Sequence, residues 1–147
     1  MSLTFIVQAT RYFGLDKEIL GRFFEVKWSL ILHIVGGILA LLIGPVQFSN
    51  RIRTKYTKWH RNMGKIYLAA ILISSISSTI LAWTAALSIH WTWAFSLQIL
   101  GFVWGTSVFM GYISIRKRRV QQHKQWMIRS YIITIAFVSF VTLERLQ

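Results

Sequence analysis

The stretch WSLILHIVGGILALLIGPVQF, residues 28–48, decides what kind of protein this sequence encodes. Its polar members are Ser29, His33 and Gln47, and every other position is apolar, glycine or proline. A helix crosses the hydrocarbon core of a bilayer with about 20 apolar residues. The stretch therefore predicts a first transmembrane helix. Pro45 is expected to kink or end it, because proline lacks the N–H that continues a helix.

Small residues in this stretch predict one closely packed face. Gly36, Ala40 and Gly44 recur every four residues, which places them on the same side of a helix. Small side chains let neighbouring transmembrane helices approach closely. His33 and Gln47 fall on that face too, so we expect both polar groups to point into the protein and away from lipid.

The composition of the whole chain agrees with a membrane protein. Of its 147 residues, 54% are hydrophobic and 14% are charged, against about 25% charged in soluble proteins. The net charge of +13 would otherwise suggest a nucleic-acid partner. The bases, however, lie in two loops between apolar segments and form no stripe along one helix, which argues against nucleic-acid binding. The sequence has no cysteine, which excludes disulfides and thiolate ligands.

Three further apolar segments follow, at residues 66–87, 91–115 and 126–143. Residues 1–27 mix aromatic and aliphatic side chains with charges and contain no run long enough to cross a bilayer. We therefore predict that they form an amphipathic helix lying in the membrane interface. The predicted fold class is an all-α membrane protein, with a four-transmembrane-helix bundle in residues 28–147.

The charges predict an orientation. Residues 49–65 and 116–125 hold most of the 17 lysines and arginines and no acid, whereas the four acids lie in the terminal segments. Cytoplasmic loops of membrane proteins carry the excess of basic residues. We predict a bacterial inner-membrane protein with both basic loops in the cytoplasm and both termini outside. The expected partner of these loops is the anionic lipid of the cytoplasmic face.

The chain also contains a candidate tandem repeat. Residues 60–67, HRNMGKIY, return loosely as residues 123–131, HKQWMIRSY. Upstream, residues 33–36 align with residues 98–101, so that His33 corresponds to Gln98. Two helical hairpins related by an axis along the membrane normal are expected from such a repeat. The axis would place the starts of the second and fourth helices in equivalent positions.

The histidines are the main candidates for chemistry. His60 and His123 are related by the repeat and would face each other if the second and fourth helices extend into the basic loops. Two imidazoles there could hold one haem b iron or a metal ion, or pass a proton. Alternatively, both are solvated or capping residues. His90 is interpreted as a residue of the outer turn.

His33 lies well inside a predicted span, where an ionisable group is a functional candidate by default. The alternative is a buried donor bonded to Gln98, to Gln47 or to a serine of the second helix. The candidate cofactor ligands are therefore His60, His123 and His33, and the residues expected to support them are Arg61, Tyr67, Gln47, Gln98, Trp126 and Arg129. For Arg129 the alternatives are a guanidinium that reaches lipid phosphate and one that lines a site beside His123.

Three motifs resemble a bacterial family of predicted membrane proteins of unknown function. They are HIxGGxLALLxGPxQF at residues 33–48, HRxxGxxY at 60–67 and HxxWMxRSY at 123–131. The resemblance covers roughly residues 28–145 and implies a multi-span inner-membrane protein. It implies no activity. Family members tend to continue past a fourth span, whereas this chain stops at Gln147, so the resemblance also implies that the bundle lacks a helix whose place a partner chain could fill.

Three functions fit the residues at this point. The first is a haem- or metal-binding redox component with ligands at the cytoplasmic ends of the second and fourth helices. The second is a non-catalytic subunit or assembly factor that packs against a partner membrane subunit or a second copy. The third is a small transporter or proton-linked channel. The sequence contains no Gly-rich phosphate loop and no HExxH motif, so soluble-type catalysis has no support.

Overall fold

The computed structural model describes residues 6–7, 11–14 and 17–144, and every element in this part is helical. Four long helices dominate it: α1 (Lys27–Phe48), α2 (Thr57–Leu81), α3 (Trp91–Arg116) and α4 (Val120–Glu144). A short helix, Asn50–Lys55, lies in the first basic loop, and a π-helical turn, Ala82–Ala86, continues α2.

Three helices of the described part are long and apolar enough to cross a membrane. They cover Phe23–Phe48, Thr57–Ala86 and Trp91–Arg116. This confirms an all-helical protein with transmembrane helices. Helix α4 occupies the place predicted for a fourth span but is not among these three, so its crossing of the membrane stays a prediction, as does the tandem repeat.

The four helices form a ring in which each contacts its two neighbours. Helix α1 packs mainly along α2, α3 along α4, and α2 against α3, while α4 returns to α1. Consecutive helices run in opposite directions: His33 contacts Ser74 near one end of the bundle, and Gln47 contacts His60 near the other. Both basic loops consequently lie at the same end, which we call the basic end.

Helix α1 approaches α2 closely at the predicted small face, and burial of Gly36, Ala40 and Gly44 confirms that this face is inward. A Cβ atom at Gly36 would overlap the Ser74 hydroxyl and lie 2.6 Å from the Ala70 carbonyl oxygen. Only glycine therefore fits here without moving backbone. At the neighbouring Gly37 an added Cβ would meet nothing within 4 Å.

The core of the bundle is built by Ala40, Tyr67, Ile71, Trp104 and Val108, each at most 2% exposed. They come from α1, α2 and α3, and side chains of α4 pack against them. Apolar side chains also point outward from the bundle, as a lipid-facing surface requires.

Pro45 lies inside α1, which continues to Phe48, so the proline does not end the helix. Its missing N–H leaves the carbonyl of Leu41 without the usual partner four residues later. The Tyr131 hydroxyl of α4 donates to this carbonyl at 3.5 Å. The ring of Tyr131 also lies against Gly44, where a Cβ would overlap it. The Gly-Pro pair thus makes a docking place for α4.

The described part of residues 1–27 is not one continuous helix, and the predicted location of this segment in the membrane interface stays a prediction. That part contains short turns, Arg11–Gly14, Lys17–Leu20 and Gly21–Val26, before α1 begins. Gly21 interrupts the chain in the left-handed region, with φ of +49°. Leu20 is buried against Leu30 and Ile34 of α1, so this part of the segment packs on the bundle. The rest of residues 1–27 lies outside the described residues.

Two glycines of α3, Gly101 and Gly105, pack against α2 of the same chain. A Cβ at Gly101 would lie 2.6 Å from the Ser78 hydroxyl, and one at Gly105 would lie 3.3 Å from Ser75. Small residues of α3 therefore admit serines of α2, and the helix pair approaches closely without a partner chain.

Candidate functional site

Both candidate histidines lie in the first turns of helices at the basic end. Helix α2 begins at Thr57 and α4 at Val120, earlier than the predicted starts at residues 66 and 126. His60 and His123 are each partly exposed there. They are near enough for their charges to interact. Among the hydrogen bonds of the described residues, none joins the two rings directly.

The side-chain amide of Gln47 holds His60. The amide nitrogen lies 2.7 Å from His60 Nδ1 and 3.3 Å from the His60 carbonyl oxygen, and the amide oxygen accepts from the Gly64 N–H at 3.2 Å. This orientation is assigned from the bonding pattern, since a carbonyl oxygen only accepts and an N–H only donates. Nδ1 of His60 is therefore an acceptor, and the neutral ring carries its proton on Nε2.

The backbone holds His123 in the opposite way. Its Nδ1 lies 2.8 Å from the carbonyl oxygen of Gly111, near the end of α3. Because a carbonyl cannot donate, Nδ1 of His123 must carry the proton and donate it. The neutral ring then has a free lone pair on Nε2. Of the two histidines, one offers a donor at Nε2 and the other an acceptor.

A buried polar layer lies about two to three helical turns farther into the bundle. The Tyr67 hydroxyl and Ser130 Oγ are 3.0 Å apart, and both side chains are almost completely buried. Thr134 donates to the Ser130 carbonyl oxygen at 3.0 Å and accepts from Trp104 Nε1 at 3.1 Å. These bonds join α2, α3 and α4 through side chains in the centre of the bundle.

The three sequence motifs meet at this end. Gln47 of the first motif contacts His60 and Gly64 of the second. Tyr67 of the second motif bonds to Ser130 of the third. The ring of Phe48, from the first motif, packs edge-on against that of Tyr131, from the third, with centroids 5.5 Å apart. We call the set Gln47, His60, Tyr67, Gly111, His123 and Ser130 the histidine cluster.

The predicted supporting bases lie around the cluster and not in it. Arg61 is exposed. Arg129 is exposed too, and its guanidinium lies 4.5 Å from the centroid of the Trp126 ring. A guanidinium stacked on a tryptophan at a helix start suits contact with lipid phosphate, the first of the two alternatives for this residue.

His33 lies apart from the other two candidates. Its Nδ1 is 3.1 Å from the carbonyl oxygen of Ser74, whose hydroxyl donates back to the His33 carbonyl at 3.1 Å. Its ring packs edge-on against Trp104 and Phe137. At about 1.5 Å per residue, Ser74 is roughly 21 Å along α2 from His60. One ligand cannot touch both histidines at that distance.

Gln98 and His90 have partners outside the histidine cluster. The Gln98 amide nitrogen donates to Thr79 Oγ1 at 3.3 Å and not to His33. His90 lies in the turn before α3 and accepts from the Thr92 N–H at 3.3 Å, which caps that helix. In the described part of the chain, no group of three or more His, Cys, Asp or Glu side chains could hold a metal ion.

Two partners in the cluster are missing from the sequence-based candidates. Gly111 acts through its carbonyl, a group that every residue has, so its identity carries no signal. Its place does: Gly111 precedes His123 by nearly the same spacing as Gln47 precedes His60. Ser130 belongs to the third motif, but only the fold shows that it faces Tyr67.

Comparisons with known proteins complete these observations. No curated protein and no solved structure matches the chain. A family model described as "Predicted membrane protein (DUF2306)" matches residues 30–144, which contain the three motifs. The chain therefore belongs to this family of predicted membrane proteins.

Proposed function

We propose that the protein is a proton-handling membrane component in which His123 takes up and releases a proton at the basic end, near the Nε2–H of His60. The observation that carries the proposal is the opposite bonding of the two rings. Gln47 leaves His60 with its proton on Nε2, whereas Gly111 leaves His123 with a lone pair there. His123 can therefore take a proton from water at its Nε2 lone pair, becoming an imidazolium, and return it to water, while the Nε2–H of His60 can hydrogen-bond that water.

Polar groups deeper in the bundle support this function. Tyr67 and Ser130 of the cluster bond to each other, and Thr134, which donates to the Ser130 carbonyl, extends this polar layer towards His33. The indole of Trp104 lies between Thr134 and His33 and cannot relay a proton. Transfer past this side chain requires that it move, so we expect slow, gated proton movement and no open leak.

Proton uptake into vesicles tests this function. The protein is reconstituted with a pH-sensitive dye inside, and a potassium diffusion potential drives protons inward. Wild-type protein should acidify the vesicles several-fold faster than His60→Asn or His123→Asn. His90→Asn is the matched control, because asparagine also caps a helix and His90 lies at the other end. Equal acidification rates for wild type, His60→Asn and His123→Asn would contradict this proposed function.

Haem or metal binding is a second candidate, which a separate observation favours. His123 and His33 each direct Nδ1 at a backbone carbonyl, the arrangement that orients metal-ligating histidines. Binding by both His60 and His123 would need His60 to move its proton to Nδ1, against Gln47. A Soret band or a stoichiometric metal that is lost in His123→Ala, with His90→Ala unaffected, would support this candidate. Purified protein with neither would count against it.

We also propose that α4 is a fourth span and that both basic loops are cytoplasmic. The absence of cysteine makes the test simple, since single cysteines can be introduced at exposed positions such as Thr54 and Ser88. In intact cells an impermeant thiol reagent should label Ser88→Cys, in the turn before α3. It should label Thr54→Cys, in the basic loop, only after permeabilisation. The reverse pattern would invert the topology.

A further inference from the structure

A groove of about 330 Å³ lies between α2 and α3, near the middle of both helices. Its rim is formed by apolar side chains that are more than half exposed: Ile76, Phe102 and Phe109. Both helices are apolar enough to cross a membrane, so the groove opens towards hydrocarbon. Whatever enters it must dissolve in lipid.

Two polar atoms at the groove lack partners. Gln98 Oε1 and Ser75 Oγ are buried, and neither has a hydrogen-bond partner among the described residues. The other end of the Gln98 amide is already used, because Nε2 donates to Thr79 Oγ1. An unpaired polar group costs several kcal/mol in hydrocarbon, where no water can replace the missing partner. The free Gln98 oxygen therefore calls for an O–H or N–H donor.

We propose that this groove binds the ring of a lipid-soluble quinol. A quinol dissolves in hydrocarbon and brings phenolic hydroxyls that can donate to Gln98 Oε1 when the buried amide turns towards the groove, while the Ser75 hydroxyl, once it turns the same way, can donate to or accept from a ring oxygen. The phenyl rings of Phe102 and Phe109 offer edges and faces to a flat aromatic ring. The volume lies at the lower end of the range for small-molecule sites, about 300–1,000 Å³.

Other occupants fit less well. A transmembrane helix uses its backbone N–H groups within itself, so an apolar helix packed on the groove would bring no donor to the Gln98 oxygen. The acyl chains of a phospholipid carry no donor, so they would leave the Gln98 oxygen unpaired. The proposal does not rest on proton transfer at the histidine cluster, which lies nearer the basic end.

Calorimetric titration of the full chain in nanodiscs with a short-chain quinol tests the proposal, with empty nanodiscs subtracted. Gln98→Leu removes the acceptor and should weaken binding about tenfold, the size of one hydrogen bond. Thr106→Phe places a ring in the groove from an exposed position and should abolish binding. Ile99→Leu, on the exposed surface beside Gln98, should bind as wild type does.

A quinol whose hydroxyl groups are methylated tests the proposed hydrogen bond separately. The dimethyl ether of the same quinol has no donor and should bind about tenfold more weakly than the quinol itself. Unchanged thermal unfolding of Thr106→Phe shows that the variant is folded. The proposal is overturned if the quinol binds no better than to empty nanodiscs, or if the ether binds equally well. It is also overturned if the protein is a dimer that Thr106→Phe dissociates, because a second copy then covers the groove.

Discussion

The first turns of α2 and α4 carry similar residues but fix their histidines in opposite ways. Each contains a histidine followed by a base, and a tyrosine follows seven or eight residues after the histidine. In α2, His60 accepts at Nδ1 from a side chain. In α4, His123 donates at Nδ1 to a backbone carbonyl. In each case the partner lies near the end of the preceding helix: Gln47 in α1 and Gly111 in α3.

This difference shows that a group of the preceding helix sets which ring nitrogen of each histidine carries the proton. Gln47 extends an amide that offers N–H to the ring of His60. Gly111 has no side chain, so the ring of His123 reaches the backbone itself. A Cβ at Gly111 would lie 3.0 Å from the Met127 sulfur, which shows how closely α3 and α4 approach there. Similar helix starts thus acquire complementary chemistry.

The tyrosines that follow these histidines, Tyr67 and Tyr131, also bond to different helices. Tyr67 is 1% exposed and bonded to Ser130 across the bundle. Tyr131 reaches the carbonyl that Pro45 leaves free on α1. The tyrosine of α2 therefore joins the second helix to the fourth, and that of α4 joins the fourth to the first.

The largest expected effect is on the free energy of unfolding, and it should differ between a glycine of α1 and a glycine of α3. Gly36→Ala should destabilise the protein by about 3 kcal/mol, because its Cβ meets the backbone of α2. Gly111→Ala should cost much less, since its Cβ meets the flexible end of Met127. Thermal unfolding in detergent, followed by tryptophan fluorescence, measures both. Gly37→Ala is the control with free space, and a loss as large as that of Gly36→Ala would contradict the packing.

A smaller effect is expected from the tyrosine hydroxyl in the core. Tyr67→Phe removes the bond to Ser130 and should cost about 1 kcal/mol of unfolding free energy. Ser130→Ala should cost a similar amount, and the double variant should cost little more than either. Fully additive losses in this cycle would show that the two hydroxyls do not interact.

The smallest effect is expected at Tyr131. Tyr131→Phe should cost a few tenths of a kcal/mol, because its bond to the Leu41 carbonyl is long, at 3.5 Å. In a Pro45→Ala background the restored N–H should satisfy Leu41, and the same change should then cost nothing measurable. If the cost is equal in both backgrounds, Pro45 does not create the docking place for Tyr131.

Much of the fold could be predicted from hydropathy. The bounds of α1 and α3 agree with the predicted spans within a residue, because apolar runs set them. Helix α2 begins at Thr57 and not at Ile66, because the intervening basic residues are good helix formers that hydropathy does not register. The turns before α1 were missed because the conformation of Gly21 and the burial of Leu20 depend on tertiary packing.

The site was only partly predictable. Basic residues and spacing indicate that His60 and His123 share one end of the protein, and the structure places them there. The sequence could not separate their roles, because the choice of proton position depends on a backbone carbonyl of Gly111 and on which way the Gln47 amide points. His33 illustrates the same limit: of its candidate partners, the structure selects Ser74 through its carbonyl.

Gln47→Glu should remove the difference between the two histidines. A carboxylate only accepts, so His60 should move its neutral-form proton to Nδ1 and match His123. Gln47→Leu is the control that offers neither donor nor acceptor, and it should leave His60 without a fixed preference. Ring ¹⁵N shifts of His60 in the two variants measure the change, and identical shifts in both would show that residue 47 does not set the proton position.

The two histidine rings are expected to carry their protons on different nitrogens, and ¹⁵N NMR of the ring nitrogens measures this. The full chain, labelled in histidine and reconstituted in lipid, is measured at a pH where both rings are neutral, and His60→Asn and His123→Asn assign the signals. We expect protonated Nε2 in His60 and protonated Nδ1 in His123. The same protonated nitrogen in both rings would contradict this expectation.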